Sequence, residues 1–272
     1  MSRYTQMFGR LHQRGEGAFG GFLMLGDPDL ETSARLLEAV VAGGADMIEV
    51  GIPFSDPVAD GPVIQAAADR ALRAGVRVDD CFSLIAGLRA RYPAIPIGIL
   101  TYANLLAARG RERFMADAAA AGADSILVAD VPSLEAEPYA AAAKAAGLEL
   151  VMIAAPNTPE AVVRKIAALS SGYTYCVARA GVTGTRDRLA LDHDRLIGML
   201  REAGAPPPVL GFGISTPEQV AQALGSGAAG VITGSALVQL GDQAEALRNL
   251  VSDMKAATAM ATEQGEQHGH LA

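Results

Sequence analysis

One pattern recurs along the chain and limits the possible folds more than any other feature. An Ala-rich helical stretch is followed by a Gly and then by a short apolar run, in the segments AGGADMIEVG, AAGADSILVAD, AAGLELVMIA and GSGAAGVITGS. Gly ends a helix readily because it has no Cβ to oppose the left-handed conformation, and a buried strand then begins almost at once. The repetition of this unit predicts helices that alternate with parallel strands.

Eight short apolar runs are candidate strands of this repeat. They cover residues 22–25, 47–50, 97–100, 126–129, 148–153, 173–177, 209–212 and 231–233. Parallel strands in this number, alternating with helices, close into a barrel, so the sequence predicts an α/β protein of the (β/α)8 TIM-barrel class. The alternative is an open doubly wound sheet, which is expected to carry a dinucleotide-binding fingerprint near its first strand, and the sequence has none.

The two ends of the chain differ in pattern. Tyr4, Met7, Phe8 and Leu11 fall at helical spacing, which predicts an extra N-terminal helix over the end of the barrel opposite the active site. From about residue 261 the sequence turns polar and loses its periodicity, so we expect a frayed tail there. The length of 272 residues suits one buried core, and we expect a single domain over residues 1–272.

Composition excludes several classes of partner. The chain has 30 acidic and 22 basic side chains and a net charge of −8, so it lacks a basic surface that would attract nucleic acids or acidic membranes. The N-terminal segment lacks the apolar run of a signal peptide and no segment is apolar enough to span a bilayer, so we expect a cytoplasmic protein. Cys81 and Cys176 show no metal-binding spacing, and no metal site is predicted.

Glu49 is the first candidate for catalysis. Ile48 and Val50 share one face of their strand and should pack outward on helices, so Glu49 should point into the barrel near its carboxyl end. Burial there raises the pKa of a carboxyl and prepares it for proton transfer. The alternative is a structural Glu that is bonded to a partner inside the barrel, and the strand pattern leaves both interpretations open.

The loop that follows, IPFSDPVADGPVIQ, adds two more carboxylates. Two acidic groups around one barrel mouth can be tuned apart for acid and base roles, and Asp60 is the candidate partner of Glu49. The alternatives are that Asp60 caps the helix that starts at Gly61, and that Asp56 is an ordinary Asp-Pro turn residue. Spacing alone does not decide between these interpretations.

Two glycine-containing loops predict a phosphate site. GFG at 211–213 follows the seventh strand and TGS at 233–235 follows the eighth, each before a helical segment. Glycines admit an anion close to the backbone, helix starts supply N–H donors, and barrels commonly bind phosphate at this pair of loops. Neither loop has a Lys or Arg, which indicates recognition by backbone donors. The alternative is that these glycines only form tight turns.

The segment RAGVTGTRD at 179–187 has glycines on both sides of Thr183, so it predicts a mobile lid, with a plain surface loop as the alternative. Apolar side chains that face the same mouth are by default barrel core, but they also suit a flat apolar ligand. They are Phe22, Leu100, Leu127, Ile153, Tyr175 and Phe212.

These motifs resemble the tryptophan synthase alpha chain family. The likeness extends over nearly the whole chain, from LGDP at 25–28 through the loop after Glu49, YAN at 102–104, VADVP at 128–132 and RAGVTG to GFGIST and TGSA. The resemblance implies that Glu49 and Asp60 are the catalytic carboxylates and that Thr183 closes a lid against Asp60. It also implies an indole pocket and a phosphate site. The indole pocket is formed by Phe22, Leu100, Leu127, Tyr175 and Phe212, and the phosphate site by Gly184, Gly213, Gly234 and Ser235.

The resemblance further implies a lyase that splits indole-3-glycerol phosphate by a retro-aldol reaction. Glu49 would act as general acid and base while Asp60 accepts the indole N–H. No cofactor is expected in this chain, because pyridoxal phosphate belongs to the beta chain of an alpha2beta2 assembly that channels indole.

The loop after Glu49 is the expected partner interface, through Pro53, Phe54 and Asp56. Phe54 is a large apolar group at the mouth, with less reason to be buried in the monomer than to insert into another protein. The alternative is that Phe54 packs inward as a loop anchor.

Three other functions remain as alternatives. An indole-glycerol phosphate synthase or phosphoribosyl isomerase is the nearest enzymatic one, but the synthase is expected to have a Lys acid at the barrel mouth, and the predicted strands offer none. A non-catalytic barrel that only activates a partner is disfavoured because both Glu49 and Asp60 are retained. A free-standing lyase that releases indole without a beta chain is the third alternative, because the sequence gives no affinity for a partner.

Overall fold

The computed structural model describes the backbone of residues 1–177 and 186–268, and the side chains of 1–177 and 193–259. The strands in this part of the chain are β1 (Ala18–Met24), β2 (Met47–Gly51), β3 (Ile97–Thr101), β4 (Ser125–Val128), β5 (Glu149–Leu150), β6 (Ile153–Ala154), β7 (Thr174–Val177), β8 (Pro208–Gly211) and β9 (Gly230–Thr233). They form one sheet in the order β5-β4-β3-β2-β1-β9-β8-β7-β6, and all neighbours are parallel.

The sheet closes through its two shortest strands. β5 pairs with β4 and β6 pairs with β7, while the two residues between them continue both ladders. The N–H of Val151 donates to the carbonyl of Ile126 at 2.9 Å, and the N–H of Tyr175 donates to the carbonyl of Met152 at 3.0 Å. β5 and β6 are therefore two halves of the strand predicted at 148–153, and the (β/α)8 TIM-barrel prediction is confirmed.

The helices of the described residues surround this barrel. They are α1 (Arg3–Gln13), α2 (Leu30–Ala42), α3 (Pro62–Arg73), α4 (Val78–Arg91), α5 (Ala103–Arg109), α6 (Arg111–Ala120), α7 (Glu137–Ala146), α8 (Glu160–Leu169), α9 (Arg186–Glu202), α10 (Pro217–Gly225), α11 (Ser235–Val238) and α12 (Ala244–His268), with a 3-10 turn at Ser133–Glu135. In the part of the chain that the structure describes, none of them is long and apolar enough to cross a membrane.

Helix α1 covers the amino-terminal end of the barrel, as its apolar spacing predicts. Tyr4, Met7 and Leu11 are buried on one side of the helix. The hydroxyls of Tyr4 and of Ser125, at the start of β4, lie 2.8 Å apart and share a hydrogen bond. The prediction of an extra N-terminal helix at the end opposite the candidate site is confirmed.

At the other end of the chain, α12 continues to His268. The backbone is therefore helical over 261–268, and the frayed polar tail expected from about residue 261 stays a prediction. Intrinsic helix propensity acts without tertiary contacts, and the Ala, Glu and Gln residues of this segment are strong helix formers. Residues 269–272 lie outside the described part of the chain.

Candidate active site

Glu49 points into the barrel from β2, as the alternation of the strand predicts. Its side chain is 2% exposed, while Ile48 and Val50 on the other face are buried in the core. The hydroxyl of Tyr173 donates a hydrogen bond to Oε1 of Glu49 at 3.0 Å from the opposite side of the barrel. Glu49 therefore has the interior partner that a structural role requires, but it also borders an open cavity.

The environment of Glu49 sets its protonation near neutrality. Burial raises the pKa of Glu49 to about 7, the hydrogen bond from Tyr173 acts in the opposite direction, and the charge of Asp60 adds a smaller increase to that pKa. At neutral pH the two protonation states of the carboxyl are therefore similarly populated, which suits a group that both gives and takes a proton.

Asp60 does not cap the helix that follows it. The N-cap of α3 is Gly61, which has no side chain to accept a capping bond. Burial raises the pKa of Asp60, and the nearby hydroxyl of Tyr102, which accepts a hydrogen bond from the N–H of Ala59 at 3.3 Å, partly offsets the increase. The helix-cap interpretation of Asp60 is wrong, and the side chain is available to a ligand.

One cavity of about 340 Å³ contains both carboxyls. Those predicted site residues that the cavity brings together are Phe22, Glu49, Asp60, Leu100, Tyr175, Phe212, Gly213, Gly234 and Ser235. Leu127 is buried on β4 beside Leu100, but the cavity wall does not include it. Ile153 is also absent from the wall.

The cavity wall also includes residues that the sequence analysis did not select. They are Gly61, Ile64, Ile214, Ser215, Ile232, Ala236 and Gln239. Two of them had a usable signal, since Ile64 lies one helical turn after Gly61 and Ile232 alternates along its strand with the outward Val231. Gln239 follows the end of the short helix α11, and nothing in its sequence context marks it.

The loops after β8 and β9 provide unpaired backbone donors to the cavity. The N–H groups of Gly213, Gly234 and Ser235 donate to no acceptor among the described residues. Phe212 and Gly213 have φ values of 63° and 82°, so the backbone turns sharply here, and an unusual conformation of Phe212 is typical of functional loops. The described cavity wall has no Lys or Arg, in agreement with the expectation of backbone recognition.

Two aromatic side chains form the apolar wall beside these loops. The rings of Tyr175 and Phe212 meet edge to face, with centroids 5.7 Å apart. The phenol group of Tyr175 occupies the space that a Cβ on Gly211 would need. Gly211 therefore matters because its missing side chain lets Tyr175 reach the cavity.

Part of the predicted lid lies outside the described residues. Thr183 and Gly184 belong to this part, so the contact expected between Thr183 and Asp60 stays a prediction.

The loop after β2 folds back over the barrel mouth. The ring of Phe54 is half-buried and stacks on Tyr102, with centroids 5.2 Å apart and an interplanar angle of 29°. Phe54 therefore has the packing contact that a loop anchor requires, and its expected place in a partner interface stays a prediction. Pro53 is buried, whereas Asp56 is exposed and accepts a hydrogen bond from the hydroxyl of Ser55 at 2.6 Å.

Large apolar side chains are nevertheless exposed at this end of the barrel. Val58, in the loop after β2, is 80% exposed, and Leu134, in the 3-10 turn after β4, is 73% exposed.

The described residues contain no group of three or more His, Cys, Asp or Glu side chains that could hold a metal ion.

Comparison with known proteins assigns this fold and cavity to a family. The family model described as tryptophan synthase alpha chain matches residues 8–266. The tryptophan synthase alpha chain of Shewanella amazonensis is 49% identical over 266 residues, which cover 95% of this chain and 100% of that protein.

Two solved structures agree with this match. The crystal structure of tryptophan synthase subunit alpha from Legionella pneumophila str. Paris has a TM-score of 0.86 at 30% identity, over 95% of this chain and 98% of that chain. A chain of tryptophan synthase from M. tuberculosis gives the same TM-score and identity, over 95% and 99% of the two chains. The chain therefore belongs to the tryptophan synthase alpha chain family, the alpha subunit of a lyase in tryptophan biosynthesis.

Proposed function

We propose that this chain cleaves indole-3-glycerol phosphate to indole and glyceraldehyde 3-phosphate by a retro-aldol reaction. The observation that carries the proposal is the single cavity that joins Glu49 and Asp60 to apolar walls and to unpaired backbone donors. In this reaction the bond between indole C3 and the carbinol carbon breaks, C3 gains a proton, and the carbinol hydroxyl loses one to become the aldehyde.

Glu49 supplies both proton transfers. Its protonated form gives a proton to C3, and the resulting carboxylate accepts the hydroxyl proton as the carbon–carbon bond breaks, so the group ends in its starting state. With a pKa of about 7, both the acid and the base form of Glu49 are populated at neutral pH. The hydrogen bond from Tyr173 leaves one oxygen of the carboxyl for the substrate.

Asp60 stabilises the charge that forms when C3 is protonated. That charge is delocalised toward the ring nitrogen, and a carboxylate that accepts the N–H stabilises it most in a water-poor site. Phe22, Leu100 and Tyr175 supply flat apolar walls for the ring. The N–H groups of Gly213, Gly234 and Ser235 are the proposed phosphate donors.

We propose that a tryptophan synthase beta chain docks at the carboxyl end of this barrel, in an alpha2beta2 assembly, and that it carries the pyridoxal phosphate. Val58 and Leu134 support this location, because exposed apolar groups around a barrel mouth favour a protein contact. No organic cofactor or metal has a role in the proton transfers that we assign to this chain.

The test is indole release from indole-3-glycerol phosphate by the parent chain, Glu49→Gln and Asp60→Asn. We expect Glu49→Gln to lower turnover by several powers of ten, since each positioned proton transfer contributes about 10²–10⁴-fold, while substrate still binds. Asp60→Asn keeps the size of the side chain but not its charge, and turnover should also fall. Near-parent turnover of Glu49→Gln would overturn the mechanism, and a parent chain inactive in both the presence and the absence of a beta chain would indicate a barrel that only binds.

A further inference from the structure

The floor beneath Glu49 is made by aromatic residues from two distant parts of the chain. Tyr4 enters from α1 and Tyr173 precedes β7, and each is only 1% exposed. Their rings lie 5.3 Å apart, tilted by 53°. The hydroxyl of Tyr173 reaches Glu49, whereas the hydroxyl of Tyr4 is bonded to Ser125.

A glycine makes room for this arrangement. Gly98, on β3, lies between Glu49 of β2 and Ser125 of β4, so it forms the middle of the floor. A Cβ at Gly98 would lie 2.8 Å from the hydroxyl oxygen of Ser125, 3.0 Å from that of Tyr4 and 3.7 Å from that of Tyr173. The side chains of three separate elements therefore fill the space of one absent side chain.

We propose that α1 is part of the active site: the ring of Tyr4 holds Tyr173 in place, and the hydroxyl of Tyr173 positions the carboxyl of Glu49. The hydrogen bond between Tyr4 and Ser125 anchors the Tyr4 ring, and this ring packs against the ring of Tyr173. The hydroxyl of Tyr173 is therefore held where Glu49 is its acceptor. Tyr4 and Tyr173 are positioning residues, because neither borders the cavity. This inference rests on the proposed role of Glu49.

The charges around Glu49 define what Tyr173 contributes. The titratable groups that interact with Glu49 are Asp60 from the loop after β2, Tyr173 and Tyr175 from the β7 side, and Tyr4 from α1. Asp60 and burial favour the neutral carboxyl, and the donor on Tyr173 favours the ionised carboxyl. Loss of that donor therefore raises the pKa of Glu49.

The experiment measures the ionisation of Glu49 in two ways, in the full chain. One is the pH profile of indole release, and the other is direct carbon NMR titration of the labelled Glu49 carboxyl without substrate. Tyr173→Phe should move both upward by about one to two pH units, because the hydrogen bond that favours the ionised carboxyl is lost. KM for indole-3-glycerol phosphate should change less than kcat.

Tyr4 is tested through Tyr173. Tyr4→Leu removes the supporting ring and should shift the ionisation of Glu49 in the same direction by a smaller amount, whereas Tyr4→Phe keeps the ring, loses only its anchoring bond to Ser125 and should shift the ionisation less than Tyr4→Leu does. The double variant Tyr4→Leu with Tyr173→Phe should shift no further than Tyr173→Phe alone. Phe114→Leu, which removes a fully buried ring elsewhere, is the control: it should lower stability and leave the ionisation of Glu49 in place.

The outcomes separate this inference from the proposed function. If Glu49→Gln is inactive and Tyr173→Phe leaves the ionisation of Glu49 unmoved in both measurements, the positioning role is overturned and the role of Glu49 stands. Additive shifts in the double variant would overturn the part of the inference that assigns Tyr4 to act through Tyr173. If Glu49→Gln keeps parent turnover, the proposed function is overturned. The NMR titration then tests by itself whether Tyr4 and Tyr173 influence the ionisation of Glu49.

Discussion

At the amino-terminal end of the barrel the buried charges are paired, whereas at the carboxyl end two carboxyls face a cavity. Asp124, next to the floor, accepts from Arg3 at 2.7 Å, from Arg89 and from the N–H of Ile97 at 2.8 Å. Glu49 has one donor, Tyr173, and no cation contributes to its pKa among the described residues. Loss of a partner at the paired end would leave a buried charge uncompensated, whereas the absence of a cation at the other end prepares a carboxyl for chemistry.

The backbone shows the same difference. At the amino-terminal end, the backbone N–H of Phe19 donates a hydrogen bond to the carboxylate of Asp46 at 2.8 Å, and that carboxylate also pairs with Lys255 at 2.9 Å. At the mouth, the N–H groups of Gly213 and Gly234 have no acceptor among the described residues. Unsatisfied donors cost stability unless a ligand or water accepts from them, so this end of the barrel is arranged for binding.

The largest expected effect comes from breaking the paired end. Asp124→Ala leaves Arg89 half-buried without its carboxylate and should lower the free energy of unfolding by about 3–5 kcal/mol, as removal of one partner of a buried pair does. The molecules that fold should keep their turnover. Asp69→Ala removes an exposed ion pair with Arg73 and is the matched control, with an expected loss below about 0.5 kcal/mol. Equal losses measured by urea unfolding would contradict the comparison.

The second effect tests the cost of the unpaired carboxyl. Because folding raises the pKa of Glu49 from 4.5 to about 7, the folded state binds its proton more tightly, and this contribution is full below pH 4.5 and lost as pH rises through 7. Gln cannot ionise, so Glu49→Gln should gain stability relative to the parent by roughly 3 kcal/mol between pH 4.5 and pH 8. Denaturant unfolding at both pH values measures this gain. A difference that does not depend on pH would show that Glu49 keeps an ordinary pKa.

The third effect concerns the free donors at the mouth. Gly213→Val crowds the backbone where an anion is expected and should weaken glycerol phosphate binding about tenfold, or about 1.4 kcal/mol, while free indole is affected less. Gly204→Val is the control, because Gly204 also has a positive φ but lies in open space, so it carries the backbone strain without the site. Calorimetric titration distinguishes the two, and equal weakening of both ligands would point to a general collapse of the mouth.

The smallest effect concerns the loop over the mouth. Phe54→Ala removes the stack on Tyr102, a contact of about 0.5–1.5 kcal/mol, and should lower indole release several-fold both with and without a beta chain, since the hydroxyl of Tyr102 also influences the pKa of Asp60. Val58→Ser changes an exposed residue and should lower only the stimulation by the beta chain. If Phe54→Ala loses stimulation alone, the ring contacts the partner and the loop anchor is unimportant.

Local sequence determined most of the fold. Four repeats of an Ala-rich stretch, a Gly and an apolar run, together with eight candidate strands, predicted the barrel, because backbone freedom and burial act within a few residues. The same local logic predicted that Glu49 points inward, since neighbouring side chains on a strand alternate between faces. The resemblance to the family then identified the cavity residues, most of which the structure brings together.

Contacts between distant parts of the chain were decided only by the tertiary structure. No local pattern shows that Phe54 covers Tyr102, that Tyr102 lies near enough to Asp60 to affect its pKa, or that Tyr4 and Tyr173 meet beneath Glu49. These pairs depend on which strands become neighbours when the barrel closes and on how much space each glycine leaves. The sequence placed a carboxyl in the barrel, and packing around it set its pKa, because desolvation depends on every element that surrounds the group.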